Sequence, residues 1–173
     1  MLQFSGQQKE HFSYTRVEDI IDRSVSLIKT ILKKNQVDLQ VSVTENLPDL
    51  QCRSQQIQQV LVNLMINARD ALNDKYSNFD ADKTILLSAK SKIIDEDQWI
   101  SIIVEDHGNG IPISVQKKIF SEFFTTKEAG KGTGLGLAIS YRIVQEHRGT
   151  ISFETKQGEY TRFMPDLPCN SNE

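Results

Sequence analysis

Two asparagines, Asn63 and Asn67, stand four residues apart within a segment whose apolar residues follow the helical period. That spacing places both carboxamides on one face of a helix, and Asp70 continues the same row. A carboxamide buried without partners is costly, so two in register indicate a polar site facing the helix, with a solvated edge as the alternative. Because the amide oxygen is a hard, neutral ligand suited to Mg²⁺, Asn67 is the candidate metal ligand.

A glycine-containing sequence, Asp-His-Gly-Asn-Gly-Ile, occupies residues 106–111 directly after a predicted strand. Gly108 and Gly110 would allow the backbone to approach a flat ligand closely. The Asp106 carboxylate could accept a hydrogen bond from an exocyclic amine. Taken alone, the sequence is equally compatible with a tight turn.

A second glycine-rich sequence, Gly-Lys-Gly-Thr-Gly-Leu-Gly, occupies residues 130–136 immediately before a predicted helix. Backbone N–H groups and the N-terminus of that helix can converge on an anion, which predicts a phosphate-binding loop. The spacing matches neither the P-loop nor the dinucleotide-binding pattern, and no strand-helix-strand unit surrounds it.

A cluster of phenylalanines at 120, 123 and 124 precedes Lys127, between the two glycine motifs. These residues would give the intervening loop an apolar anchor and place a cation near the phosphates. A satellite of the hydrophobic core is the alternative interpretation.

The hydrophobic periodicity predicts the elements that must position these residues. Helices are predicted at 17–32, 54–72, 114–120 and 135–147, and strands at 37–43, 84–94, 99–105, 149–155 and 160–163. This order favours an α+β fold, a two-layer sandwich whose mixed, mostly antiparallel sheet is covered on one face by about three helices. Pro165 cannot donate to a ladder, so we expect the last strand to end early or to lie at an edge.

The bulk composition excludes several classes of function. The net charge of -3 comes from interspersed charges, which argues against nucleic-acid binding. Cys52 and Cys169 are distant and share no metal-ligand spacing with the histidines, so we expect two free thiols. No apolar run approaches the roughly 20 residues that span a bilayer, so we expect a cytoplasmic domain without membrane insertion.

Four segments together resemble the N, G1, F and G2 boxes of histidine kinase catalytic domains, which have the Bergerat ATP-binding fold of the GHKL superfamily. They are residues 63–68, 106–110, 120–127 and 132–137. The resemblance covers roughly residues 12–168. The residues at 67–71 and 122–127 are most similar to those of the nitrogen-regulation and dicarboxylate-sensing branch of these kinases.

The resemblance implies binding of ATP and Mg²⁺, with Asp106 bonded to the adenine amine, Asn67 on the metal, Asn63 near the phosphates and residues 111–133 forming a lid. Lys127 would be the lid cation, because Asp70 stands where many relatives carry lysine or arginine. The implied nucleotide-binding residues are Asn63, Asn67, Asp106, Gly108, Gly110, Ile111, Lys127, Gly132, Thr133, Gly134, Leu135, Gly136, Leu137 and Thr161.

The resemblance also bears on the reaction. ATP-hydrolysing members of the superfamily carry a glutamate at the position of Asn63, and a neutral amide cannot take a proton from water. Phosphotransfer to a protein is therefore favoured over hydrolysis. The histidines of this chain, at 11, 107 and 147, lack the context of a phosphoacceptor, so we expect the acceptor outside the chain.

The implied organisation is a linker or the end of a dimerisation helix at 1–10, the catalytic domain at 11–168 and a tail at 169–173. The implied partners are a histidine-bearing dimerisation domain of the same parent, which would be a homodimer with or without a membrane anchor, and the receiver domain of a response regulator. Two alternatives are a serine protein kinase of the anti-sigma-factor or dehydrogenase-kinase type, and a non-catalytic nucleotide-sensing module. The intact metal and glycine motifs argue against the second alternative.

Overall fold

The computed structural model describes residues 11–127 and 132–170. The expected linker at 1–10, residues 128–131 with Gly130 of the second glycine motif, and residues 171–173 of the expected tail lie outside the described residues. In chain order the elements are β1 Ser13–Thr15, α1 Val17–Lys34, β2 Asp38–Val43, β3 Leu50–Cys52, α2 Ser54–Lys75, β4 Thr84–Ile94, β5 Asp97–Asp106, α3 Ile113–Gln116, α4 Gly136–Glu146, β6 Thr150–Lys156 and β7 Tyr160–Pro168.

The main sheet has five strands in the order β2-β4-β5-β7-β6. Strands β2 and β4 are parallel, whereas the other neighbours pair antiparallel. The predicted α+β fold with a mixed, mostly antiparallel sheet is confirmed. The short strands β1 and β3 form a separate antiparallel pair.

The core lies between the sheet and the long helices. Strand alternation sends every second side chain of β5 inward, so Ile100, Ile102 and Val104 are buried in one row. Helix α2 packs Leu61 and Leu64 against them in the same core cluster. Each such side chain contributes roughly 1.5–3 kcal/mol when fully buried. This packing sets the position of α2 relative to the end of β5.

Cys52 and Cys169 are both buried, and neither forms a disulfide within residues 11–127 and 132–170. The backbone N–H of Cys169 donates to the carbonyl of Gln98 at 2.9 Å, and its carbonyl accepts from the N–H of Gln51 at 2.9 Å. Cys169 therefore connects the small β1–β3 sheet to the main sheet.

The prediction for the last strand is wrong. Strand β7 continues to Pro168 and lies between β5 and β6, so it is neither short nor at an edge. Pro165 pairs in register with Ile151 of β6, while pairing with β5 lapses between Phe163 and Asp166 and then resumes. Pro165 lies in this gap of two residues in the β5–β7 ladder, where its missing N–H is accommodated. Helix α3 is also shorter than the predicted 114–120.

Helix α4 ends in a Schellman motif. The N–H of Arg148 donates to the carbonyl of Gln145 at 2.9 Å, and the N–H of Gly149 donates to the carbonyl of Val144 at 2.9 Å. Arg148 adopts a φ of 57°, the left-handed conformation for which this motif prefers glycine. A side chain in that conformation costs of order 1 kcal/mol.

We predict that Arg148→Gly stabilises the protein by about 0.5–1 kcal/mol, because relief of the left-handed strain exceeds the added entropy of glycine in the unfolded chain. Urea unfolding measures the change. Gly149→Ala is the matched control and should destabilise, because its Cβ would lie 2.4 Å from the carbonyl oxygen of Asp166. A loss of stability in Arg148→Gly would contradict the account.

Candidate active site

A cavity of about 800 Å³ lies between α2, the end of β5 and the segment leading into α4. This volume is within the range of small-molecule sites. The predicted site residues that line it are Asn63, Asn67, Asp106, Gly110, Ile111, Lys127, Gly132, Thr133, Gly134, Gly136, Leu137 and Thr161. Gly108 and Leu135, also predicted, are not among the lining residues. The structure thus brings together side chains that are up to 98 positions apart, from Asn63 to Thr161.

One face of α2 forms a wall of the cavity. Asn63, Asn67, Asp70 and Asp74 line it at intervals of three and four residues, as the helical period requires. Sequence reasoning stopped this row at Asp70 and missed Asp74, although the same period reaches it. The cavity is also lined by residues that were given no individual role: Ile66, Arg69, Ala71, Asn109, Gln157 and Phe163, together with Pro112, Val115, Ile119, Thr125 and Thr126 of the predicted lid.

Asn63 connects α2 to the start of α4. Its amide nitrogen donates to the carbonyl of Gly136 at 3.3 Å and to the hydroxyl of Ser140 at 3.4 Å. Ser140 is fully buried and itself donates to the carbonyl of Gly136 at 2.8 Å. The contacts hold the first turn of α4 against the cavity wall and leave a neutral amide where it faces the site.

Asp106 is the last residue of β5 and belongs to the inward-facing row of that strand. Its side chain is buried at 4% exposure and accepts a hydrogen bond from the N–H of Gly108 at 2.8 Å. Burial raises the pKa of Asp106 to about 7, opposed by the Gly108 N–H and by the charges of His107 and Lys75. Thr161 of β7 lies directly opposite Asp106 in the sheet register.

The loop after Asp106 is fastened to the β6–β7 hairpin. The N–H of Ile111 donates to the hydroxyl of Thr155 at 2.9 Å, and the carbonyl of Asn109 accepts from the N–H of Gly158 at 2.7 Å. Gly110 has a φ of 67°, and a Cβ there would lie 2.3 Å from the carbonyl oxygen of Lys156. Glycine is therefore required for this loop to sit against the hairpin.

Three charged residues meet at Asp70, within the row on α2. The ammonium of Lys127 bonds to the carboxylate of Asp70, which also accepts from Nε of Arg69 at 2.8 Å. The predicted lid cation thus lies at the cavity wall, with its charge balanced by Asp70 before any anion arrives. Sequence reasoning named both residues but did not predict their contact.

The segment before α4 is anchored by aromatic packing. The ring of Phe120 lies edge-on to those of Phe153 and Phe163, with centroids 6.1 and 6.3 Å apart. Gly134 has a φ of 67°, and a Cβ there would lie 2.5 Å from the backbone of Phe123. This close approach brings the phenylalanine-containing segment to the N-terminus of α4. A helix N-terminus favours anions, as the phosphate-loop prediction requires.

Comparison with protein families shows the family of this chain. Residues 52–171 match the family described as histidine kinase-, DNA gyrase B-, and HSP90-like ATPase. The chain belongs to this family of ATP-binding domains.

Relatives of the domain include sensor histidine kinases. It is 33% identical to the sensor kinase CckA of Brucella abortus over 97% of this chain and 18% of the relative. It is also 33% identical to the signal transduction histidine-protein kinase AtoS of Escherichia coli, over 98% of this chain and 26% of the relative. The chain therefore corresponds to the ATP-binding catalytic domain of such kinases and spans about a quarter or less of these relatives.

Solved structures agree with this assignment. The catalytic domain of histidine kinase ThkA, in a nucleotide-free form, superposes with a TM-score of 0.72 at 26% identity. The match covers 93% of this chain and 97% of that domain. Among the described residues, no helix is both long and apolar enough to cross a membrane.

The donors at the cavity fit a magnesium ion that is held mainly by a nucleotide. Within residues 11–127 and 132–170, no group of three or more histidine, cysteine or acidic side chains is arranged to hold a metal. Asn67 instead lines the cavity with a neutral carboxamide. Mg²⁺ commonly takes one or two protein oxygens and completes its shell with phosphates and water.

We predict that Asp106→Asn stabilises the nucleotide-free domain increasingly as the pH rises. The unfolded carboxyl ionises near 3.8, whereas the buried one keeps its proton until about 7, so the wild type loses stability across this window and asparagine does not. The advantage should grow by up to about 4 kcal/mol between pH 4 and pH 8. Urea unfolding at several pH values measures it.

The control for removing one negative charge is Asp22→Asn, on the exposed face of α1. A constant difference between Asp106→Asn and wild type at all pH values would contradict the raised pKa.

Proposed function

We propose that this domain binds Mg·ATP and donates the γ-phosphoryl group to a histidine on a separate dimerisation domain of the same parent protein. The observation that carries the proposal is Asn63, whose neutral amide faces the cavity one helical turn before Asn67. An amide at this place cannot act as the general base that activates water. Asp70, further along the row, is already bonded to Lys127 and Arg69.

The adenine end of the cavity is assigned to Asp106. Its buried carboxylate would accept a hydrogen bond from the exocyclic amine, which discriminates adenine from a base that carries a carbonyl there. Gly110 would let the backbone approach the ring, and Thr161 lies beside the carboxylate in the sheet. Ile111 adds an apolar surface at the cavity wall.

The phosphate end is assigned to Asn67, Lys127 and the turn 132–136. Asn67 would hold Mg²⁺, which when bound neutralises charge on the phosphates. Backbone N–H groups at the start of α4 would bind phosphate oxygens. The ammonium of Lys127 would move from Asp70 to the triphosphate, or it would contact both. Catalysis by this domain then consists of positioning and charge neutralisation, because the nucleophile belongs to another domain.

Two of the described histidines, His107 and His147, do not suit a phosphoacceptor role. His147 is 1% exposed, with Nδ1 bonded to the carbonyl of Ile143 at 2.7 Å and Nε2 accepting the N–H of Arg53 at 3.0 Å. His107 lies 3.3 Å from the Glu105 carboxylate on the loop that follows Asp106. We therefore place the acceptor on a dimerisation domain that residues 1–10 would join, and expect a homodimeric parent that serves a response regulator. We place the catalytic domain at 11–168.

Nucleotide affinity tests the site residues. We expect Asp106→Asn to weaken ATP binding by tenfold or more, because a charge-assisted hydrogen bond is worth about 1.5–3 kcal/mol. Asn67→Ala should remove the part of the affinity that depends on Mg²⁺, and Lys127→Ala should weaken ATP more than ADP. Calorimetry in the presence and absence of Mg²⁺ measures all three. Lys29→Ala on the exposed face of α1 is the charge-matched control. Unchanged affinity in both Asp106→Asn and Asn67→Ala would refute the site.

Incubation with labelled ATP tests the reaction. The domain alone should acquire no label, whereas a supplied histidine-bearing hairpin from the same parent should become labelled. The label should be acid-labile and base-stable, as expected of phosphohistidine. An acid-stable label would instead indicate a serine kinase, and multiple-turnover release of phosphate by the domain alone would contradict transfer as the main reaction.

A further inference from the structure

Lys75, the last residue of α2, makes hydrogen bonds that have no part in the nucleotide-binding roles proposed above. Its ammonium donates to the carbonyl of His107 at 2.8 Å, to that of Gly108 at 3.3 Å and to that of Gly158 at 3.1 Å. The side chain is half-buried. An ammonium has three N–H donors, so these three carbonyls account for its full capacity.

The three acceptors belong to the two segments that border the adenine end of the cavity. His107 and Gly108 are in the loop after β5, whereas Gly158 is in the turn between β6 and β7. The same segments are joined directly by the hydrogen bond between Gly158 and Asn109. Lys75 therefore lies where the end of α2, the loop and the hairpin meet.

The peptide bond between His107 and Gly108 connects Lys75 to the buried carboxylate. In a trans peptide the carbonyl and the N–H point in opposite directions. The His107 carbonyl accepts from Lys75, and the N–H of Gly108 on the same peptide donates to Oδ1 of Asp106 at 2.8 Å. A cation on the carbonyl side polarises the peptide and strengthens the hydrogen bond on its other side.

We propose that Lys75 is a positioning residue for adenine recognition, which fixes the 107–108 peptide so that its N–H holds the Asp106 carboxylate in its binding orientation. The proposal rests on the proposed role of Asp106 in binding adenine. A lysine that only tied down the end of α2 would affect folding stability but would have no specific coupling to Asp106.

The charge of Lys75 also acts on the ionisation of Asp106. Burial is the main cause of the raised pKa of this carboxyl, and Glu105 raises it further. The charges of His107 and Lys75 and the hydrogen bond from Gly108 lower it. Removal of the Lys75 charge should therefore move the pKa of Asp106 upward and delay its ionisation to higher pH.

The experiment measures ATP affinity between pH 5.5 and 8.5 for wild type, Lys75→Met, Lys75→Arg, Asp106→Asn and the double variant Lys75→Met/Asp106→Asn. Lys29→Met is the matched control for loss of an exposed lysine. Thermal unfolding is recorded for each protein, and affinities are measured below the onset of unfolding. The Asp106→Asn profile gives the pH dependence that the nucleotide itself contributes.

We expect Lys75→Met to weaken ATP binding about tenfold at pH 7 and to move the midpoint of the affinity profile to higher pH. Lys75→Arg should retain part of the affinity, because a guanidinium also donates to carbonyls. In the Asp106→Asn background, Lys75→Met should add little, since its effect passes through that carboxylate.

The outcomes separate this inference from the proposed function. Absence of ATP binding by the wild type would overturn the proposed function, whereas full affinity in Asp106→Asn would overturn the role of Asp106 on which this inference rests. If Asp106→Asn loses affinity as expected while Lys75→Met resembles Lys29→Met, the role of Lys75 is overturned. Fully additive losses in the double variant, with an unshifted pH profile in Lys75→Met, would also overturn it.

Discussion

The site depends on the packing of α2, which has an apolar face in the core and a polar face at the cavity. One face carries Leu61, Leu64 and Leu72, which are fully buried in the core. The other carries Asn63 and Asn67, which line the cavity. Since protein interiors are close-packed, the apolar face fixes the rotation of the helix, and that rotation fixes the direction of the amides. The apolar packing that stabilises the fold therefore also orients the amides at the cavity.

Two carboxylates at this cavity are held in contrasting ways. Asp106 is buried beside one backbone N–H, and desolvation raises its pKa to about 7. Asp70 is bonded to two cations, Lys127 and Arg69, at the side of the cavity. The first arrangement leaves a carboxylate whose charge is incompletely compensated and which gains from a hydrogen-bond donor on a ligand. The second keeps a lysine close to the place where a triphosphate would bring competing negative charge.

Local sequence patterns anticipated most of the elements and several of their roles. The helical period around Asn63 and Asn67 placed both amides on one face, and alternation along β5 placed a carboxylate at the strand end. Strands β4 and β5 were both predicted, and the structure pairs them in an antiparallel hairpin. Its turn residues Asp95 and Glu96 have φ angles of 49° and 70°, as a tight turn matching the strand twist requires. The error at Pro165 arose because tolerance of a missing donor depends on both neighbouring strands, whose register is not a local property.

The sequence by itself determined the fold class, the helix face that carries the amides and the glycine positions at which the backbone must turn or approach closely. These properties follow from periodicity and steric limits that act over a few residues. Only the tertiary structure decided that Thr161 lies opposite Asp106, that Lys127 contacts Asp70, and that Lys75 binds the loop after β5 and the distant hairpin. Such contacts join residues 32 to 83 positions apart, and their geometry depends on the packing of whole elements.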